Sequence, residues 1–185
     1  VVGEERAIRR FVETATAAEL RQVLAQLRKE RSEMRGLTIT QPWATLIAIG
    51  AKRYETREWK TGYRGLVAIH AAKKYPMAAA AFAGRDPYGC LRAAGLDSQR
   101  LPLGVVVAVA ELAFCVPTEP FGRTLVLSDQ ERTLGDYSPG RYAFVLKNVR
   151  RLERPVAARG ALGLWDVPEE LEAAILAQLE EAVLV

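Results

Sequence analysis

The sequence predicts an α+β fold: a small, mostly antiparallel β-barrel with one early inserted helix and further helices at its periphery. Three observations carry this expectation. Five or six segments read as strands, a single short helix interrupts them after the first, and no regular βαβ alternation follows that would build a doubly wound sheet. At 185 residues the chain suffices for one well-cored domain and an appendage.

Taken in order, residues 4–33 read as two helices. Ile8, Phe11 and Val12 make a one-face stripe. Thr16-Ala17-Ala18-Glu19 then has capping-box spacing, and Leu20, Val23, Leu24 and Leu27 follow at helical intervals. The pair is too short for a domain and reads as a helical extension over residues 1–33, packed on the core or on a partner protein. The barrel is expected over 34–167, and an acidic helix over 168–185.

Leu37 and Ile39 sit in a short strand. Pro42 suits the first turn of a helix, where its missing N–H is no loss, and Gly50 is placed to end the apolar run from Trp43 to Ile49. Arg53 to Trp59 alternates as a strand, Thr61-Gly62 signals a turn, and Leu66 to Ala72 is apolar enough to be central. Residues 75–96 are Ala-rich and predict two helical pieces. Gly104 to Val116 is the strongest strand, β-branched and long, with Glu111 interrupting its apolar character. Residues 117–139 read as loop. Arg141 to Leu146 and Val149 to Val156 read as extended, and Ala161 to Val167 closes the set with Trp165. Leu171, Ile175 and Leu179 share one face of the last helix.

Composition narrows the function classes. Half the residues are hydrophobic and 26% are charged, which suits a soluble globular domain. No apolar run reaches the roughly 20 residues that span a bilayer, and the first residues lack a signal-peptide core. The expectation is a cytoplasmic protein with no membrane partner. Two cysteines, Cys90 and Cys115, and one histidine, His70, make no metal pattern. No Gly-x-Gly-x-x-Gly or Walker-type loop points to a nucleotide cofactor. Neither metal nor cofactor is expected. The net charge of +4 is uneven, because no Lys or Arg follows Arg159 while five glutamates crowd the end. The rest of the chain is therefore more basic than the total, which suits either nucleic acid or a solvated Arg-rich surface.

The stretch Leu37–Ala72 gathers Gln41, Trp43, Lys52, Glu55, Arg57, Trp59, Tyr63, Arg64 and His70. In a regular strand over 53–59, Arg53, Glu55, Arg57 and Trp59 share one side, and Lys52 stands at its mouth. Glu55 between two arginines ionises readily and orients one of them. Arg57 offers a planar fork for a phosphate or a base edge. Trp43, Trp59 and Tyr63 offer stacking faces, each base stacked adding about 1–3 kcal/mol. Cations for a backbone and rings for a base make a nucleotide-sized kit; the other reading is a structural ion pair among core aromatics. His70, in an apolar run, reads as hydrogen-bonded scaffold or as a functional group. Glu111 reads as a barrel-mouth carboxylate or an exposed edge residue.

The run Leu37-Thr-Ile-Thr-Gln-Pro-Trp-Ala44, then Gly50-x-Lys52-x-x-Glu55-x-Arg57-x-Trp59, then Tyr63-Arg64-Gly65 and Ile69-His70-Ala71, resembles an ASCH (activating-signal-cointegrator homology) domain of bacterial type, within the PUA-like superfamily. Gly104-Val-Val, Tyr142-Ala-Phe-Val145 and Arg159-Gly-Ala-Leu-Gly-Leu-Trp-Asp166 extend the likeness over roughly Met34 to Val167. The resemblance implies a PUA-like barrel with a cleft lined by Lys52, Glu55 and Arg57. It implies RNA, single-stranded nucleic acid or a modified nucleoside as ligand, and a co-regulatory role in some members. Phosphate contacts then fall to Lys52, Arg57 and Arg64, stacking to Trp43, Trp59 or Tyr63, and support to Gln41, Glu55, His70 and Glu111. It also implies hydrolysis as an alternative, either of RNA or of the acetyl group of N4-acetylcytidine, with Lys52 and Glu55 as the acid–base pair. The acetyl-removing relatives carry Lys-x-x-Thr-x-Arg, and this chain has Glu55 at the Thr position. Binding therefore stands ahead of catalysis. A third alternative is a protein-interaction module that docks its partner through the N-terminal helices.

Overall fold

The computed structural model describes residues 34–119, 125 and 127–181, together with Thr16. The helix pair expected over 4–33 lies outside them. Met34 opens the second of the two compact units into which the chain divides.

Six strands form one sheet: β1 (Arg35–Ile39), β2 (Tyr54–Arg57), β3 (Gly65–Ala71), β4 (Val105–Pro117), β5 (Tyr142–Ala157) and β6 (Leu164–Asp166). Five helices accompany them: α1 (Trp43–Ala48), α2 (Met77–Arg85), α3 (Cys90–Ala93), α4 (Asp129–Thr133) and α5 (Glu169–Glu181). The strand order is β2-β5-β4-β3-β1-β6. Every neighbouring pair is antiparallel except β1 with β3. The sheet curls into a half-barrel, the mixed α+β architecture expected. Register shifts along β4–β5 between Val106 and Ala108, Val109 and Glu111, and Leu112 and Phe114 supply the local bends that such curling needs.

Alternation explains which side chains go where. Val67, Ile69 and Ala71 of β3 join Ala108, Ala110 and Leu112 of β4 on the inner face, where Ala44 and Ile47 of α1 cover them. Ala68, Val106, Val109 and Leu152 point the other way and pack beneath Ile175 and Leu179 of α5, two of the three residues that the helical spacing put on one face. α1 is nearly all apolar because it is covered on several sides: Leu46 belongs to a separate cluster with Ala83, Leu91, Leu101 and Leu134.

Three sequence expectations change. β2 stops at Arg57, so the alternation read out to Trp59 ends two residues early. The extended segments at 141–146 and 149–156 are one strand of 16 residues, in which Asn148 takes a left-handed conformation (φ 49°) without ending the ladder. The stretch read as loop contains α4, whose start is capped by the Ser128 hydroxyl accepting from the Glu131 amide at 3.1 Å. Among the described residues no helix is long and apolar enough to cross a membrane, and no cluster of three or more metal-ligating side chains occurs.

Candidate functional site

A cleft of about 380 Å³ opens where α1, β2, the segment after α4 and the start of β5 meet. That is within the roughly 300–1,000 Å³ of small-ligand sites. Trp43, Lys52, Glu55 and Arg57 line it together, as the sequence anticipates. They converge because α1 ends just before Gly50, whose φ of +76° turns the chain so that Lys52 stands two residues before the start of β2.

Lys52 is the floor. It is 1% exposed, and its Nζ lies 3.5 Å from Glu131 Oε1 without making a hydrogen bond to any group. Glu131 has little left to offer it. Its carboxylate already accepts from the amides of Arg53 (3.0 Å) and Tyr54 (3.3 Å) and from the Tyr137 hydroxyl (2.8 Å). Burial pushes the Lys52 amine below its ordinary pKa, opposed by the charges of Glu55 and Glu131. Burial and the same Glu131 carboxylate drive the Tyr137 phenol far upward, so it remains a neutral donor. Gly135 is required where it is: a Cβ there would stand 2.8 Å from Lys52 Nζ and 2.6 Å from the Tyr137 ring.

The walls are cationic. Arg57 donates through one terminal nitrogen to the Thr38 carbonyl (2.8 Å) and pairs with Glu55 at 3.2 Å through the same nitrogen. Thr38 lies one residue past the last β1–β6 pair, Leu37 with Leu164, so Arg57 bridges the seam between β2 and β1. Arg141, at the entry to β5, bonds the Thr56 carbonyl (3.3 Å) and pairs with Glu58 (3.3 Å) and Asp136 (3.5 Å). Trp43 stands at the rim, one face stacked on Phe82 (5.7 Å, 21°).

The other anticipated residues lie elsewhere. Trp59, beyond the end of β2, packs edge-on against Phe144 at 5.0 Å. Tyr63 donates its hydroxyl to the Leu66 carbonyl, with the Arg35 guanidinium 6.0 Å from its ring centre. Arg64 is exposed and bonds the Thr61 and Tyr63 carbonyls. Gln41, fully buried, ties the Thr45 amide to the Pro102 carbonyl and so anchors α1. His70, on β3, meets the Ala158 carbonyl at 3.1 Å and does not line the cleft. Glu111 accepts from Asn148 Nδ2 at 2.7 Å on the β4–β5 ladder.

Sequence reasoning missed Glu131, Gly135 and Arg141. Glu131 had a signal: Ser128-Asp129-Gln130-Glu131 is a capping-box spacing inside the segment read as loop. Its carboxylate reaches across to β2 instead of back to its own cap. Gln130 reinforces the join by donating to the Ala51 carbonyl at 2.8 Å. Arg141 had no local signal.

The ASCH domain family profile matches residues 37–156. Activating signal cointegrator 1 from Homo sapiens is 25% identical over 136 residues, covering 73% of this chain and 22% of that protein. The Mus musculus protein of the same name gives the same figures. The chain thus spans about a fifth of the length of these curated relatives (22%). Among solved structures, the crystal structure of ASCH from Zymomonas mobilis aligns with a TM-score of 0.47 at 16% identity, covering 78% of this chain and 94% of that one. A tyrosine-to-phenylalanine variant of the Zymomonas protein aligns with the same TM-score at 14% identity, covering 79% and 98%.

Proposed function

The chain belongs to the ASCH domain family, a PUA-like family associated with RNA binding, and on that premise we propose that it binds RNA or another single-stranded nucleic acid by taking one nucleotide into the Lys52 cleft. The observation that carries this reading is the Lys52 amine: 1% exposed in a residue that lines the cleft, ion-paired with Glu131 at 3.5 Å but with its hydrogen bonds unfilled. A buried ammonium with unfilled hydrogen bonds is costly, and a ligand that supplies a further acceptor recovers part of that energy. The cleft volume suits a single nucleotide better than a length of strand. The exposed face of Trp43 at the rim suits a base.

The test is a titration of fluorescent single-stranded RNA with the full chain, at two salt concentrations. Replacing both Lys52 and Arg57 by Ala removes two charged donors, each contributing about 1.5–3 kcal/mol, so affinity should fall about 100-fold or more. Unchanged affinity in a folded double variant would remove the cleft as the binding site.

A second reading, hydrolysis, is favoured by one feature. An amine held below its ordinary pKa stands beside two carboxylates, Glu55 and Glu131, an arrangement able to deprotonate water. Incubation with N4-acetylcytidine and with end-labelled RNA separates the readings. Turnover that disappears in Lys52→Ala establishes catalysis, and no turnover leaves binding alone.

A further inference from the structure

The cleft has a second property that its family membership does not supply. Three buried nitrogens of its charged side chains lack any hydrogen-bond partner: Lys52 Nζ, Arg57 Nε and Arg141 Nε. Arg57 spends one terminal nitrogen on Thr38 and Glu55, and Arg141 spends both of its own on Thr56, Glu58 and Asp136. Each keeps back its Nε–H. Orphaned charged donors are rare in folded proteins, and three from separate elements lining one cleft are a built set of donors without an acceptor.

We propose that Arg141 is a ligand-contacting residue, and that Lys52, Arg57 and Arg141 together seat the monoanionic phosphodiester group of the bound nucleic acid. This rests on the reading that the cleft takes nucleic acid, and it adds which group goes deepest and which third cation holds it.

Charge favours a monoanion. The lining carries three cations, Lys52, Arg57 and Arg141, against two carboxylates, Glu55 and Asp136, which leaves one positive charge in excess. Glu131, outside the lining, pairs with Lys52, and Glu58, 84% exposed, pairs with Arg141 and is screened by water. A neutral carbonyl leaves the excess standing, and a phosphomonoester dianion overshoots it beside two fixed carboxylates. A phosphodiester carries one charge. Three cationic side chains from separate elements line the cleft, and a tetrahedral phosphate, whose oxygens diverge, can accept from more than one of them. Bound there, the anion would draw the Lys52 amine back towards its ordinary pKa, offsetting the burial that lowers it.

The test reads the arginine Nε–Hε signals of the full chain by NMR, with dimethyl phosphate as a phosphodiester monoanion and trimethyl phosphate as its neutral control. The signals of Arg57 and Arg141 should move saturably with the first and stay still with the second. Signals that ignore dimethyl phosphate, or move equally with both, overturn the seat. In RNA titrations, Arg141→Gln should weaken binding about tenfold and reduce the salt slope by about 0.7, the value for one phosphate contact on a single strand. RNA binding untouched by Arg141→Gln overturns the seat and leaves RNA recognition standing. Movement with dimethyl phosphate in a protein that binds no RNA does the reverse.

Discussion

Two places in this domain bury a titratable side chain with an unpartnered nitrogen, and they have opposite meanings. Lys52 is 1% exposed and His70 2%, and burial lowers the pKa of both. Both leave a nitrogen without a hydrogen bond, Nζ in one and Nδ1 in the other. What differs is the neighbourhood. Lys52 lines a cleft of about 380 Å³. Nδ1 faces Gly160, packed so closely that a Cβ there would collide with the imidazole and with the Thr38 hydroxyl. The chemistry differs too. His70 neutral, with Nε2–H donating to Ala158, leaves only a lone pair unused, whereas charged Lys52 leaves N–H donors unused. An orphan donor beside open space awaits a ligand; an orphan acceptor walled in by backbone belongs to the scaffold.

The largest effect should come from filling the wall at the scaffold site. Gly160→Ala places a methyl against the His70 ring and Thr38, both on strands already paired on two sides, so neither can move aside. Overpacking of this kind costs about 1–3 kcal/mol. Urea denaturation should show that loss, while the folded fraction binds RNA as before. A loss below about 0.5 kcal/mol, or a fall in RNA affinity, would break the distinction between the two places.

Lys52→Met separates the two places by its effect on binding. Methionine fills a similar volume without a charge, and Glu131 keeps its donors from Arg53, Tyr54 and Tyr137 but loses its cation. Removing one partner of a buried ion pair is destabilising, so urea denaturation should show a loss of stability. RNA binding should be lost from the fraction that remains folded. A folded Lys52→Met that binds RNA as the parent does would mean that Lys52 belongs to the scaffold, as His70 does.

How much of this was legible beforehand follows from the range of the forces involved. α1, β4 and the apolar face of α5 are written in local periodicity, and the chain honours it. The nearness of Trp43, Lys52, Glu55 and Arg57 was legible because all four lie within 15 residues on either side of one turn. Trp59 was misread because strand alternation was carried past the true end of β2, where the ring turns to Phe144. Arg141 was invisible. It reaches the cleft only through the pairing of β5 with β2, which sets Tyr142 opposite Arg57, and no spacing in the sequence records a register between strands 85 residues apart. Glu131 falls between these cases: its capping spacing was readable, its reach to β2 was not.

The smallest effect is a pH dependence, and its sign tests whether the two buried groups are held in their uncharged-favouring surroundings. His70 titrates in the folded chain below its ordinary value of 6.5, chiefly through burial. As pH falls below 6.5 the unfolded chain therefore takes up a proton that the folded chain refuses, and stability drops until the folded pKa is passed. Above 6.5 this contribution is fully present. Lys52 has the same sign in a different window, because its amine also titrates below its ordinary value, here 10.5. Its contribution to stability is fully present above 10.5 and is lost as pH falls from there towards the folded pKa. Melting temperatures across pH 5 to 11 should thus lose their acid-side slope in His70→Gln, which keeps a donor for the Ala158 carbonyl, and their alkaline-side slope in Lys52→Met. His70 is the chain's single histidine, so no other imidazole can imitate the first result. The second should be erased in the parent by saturating ligand, since an anion on Lys52 Nζ restores the proton's hold; dimethyl phosphate should flatten the alkaline slope and leave the acid one untouched. If it flattens neither, the orphaned amine is scaffold after all.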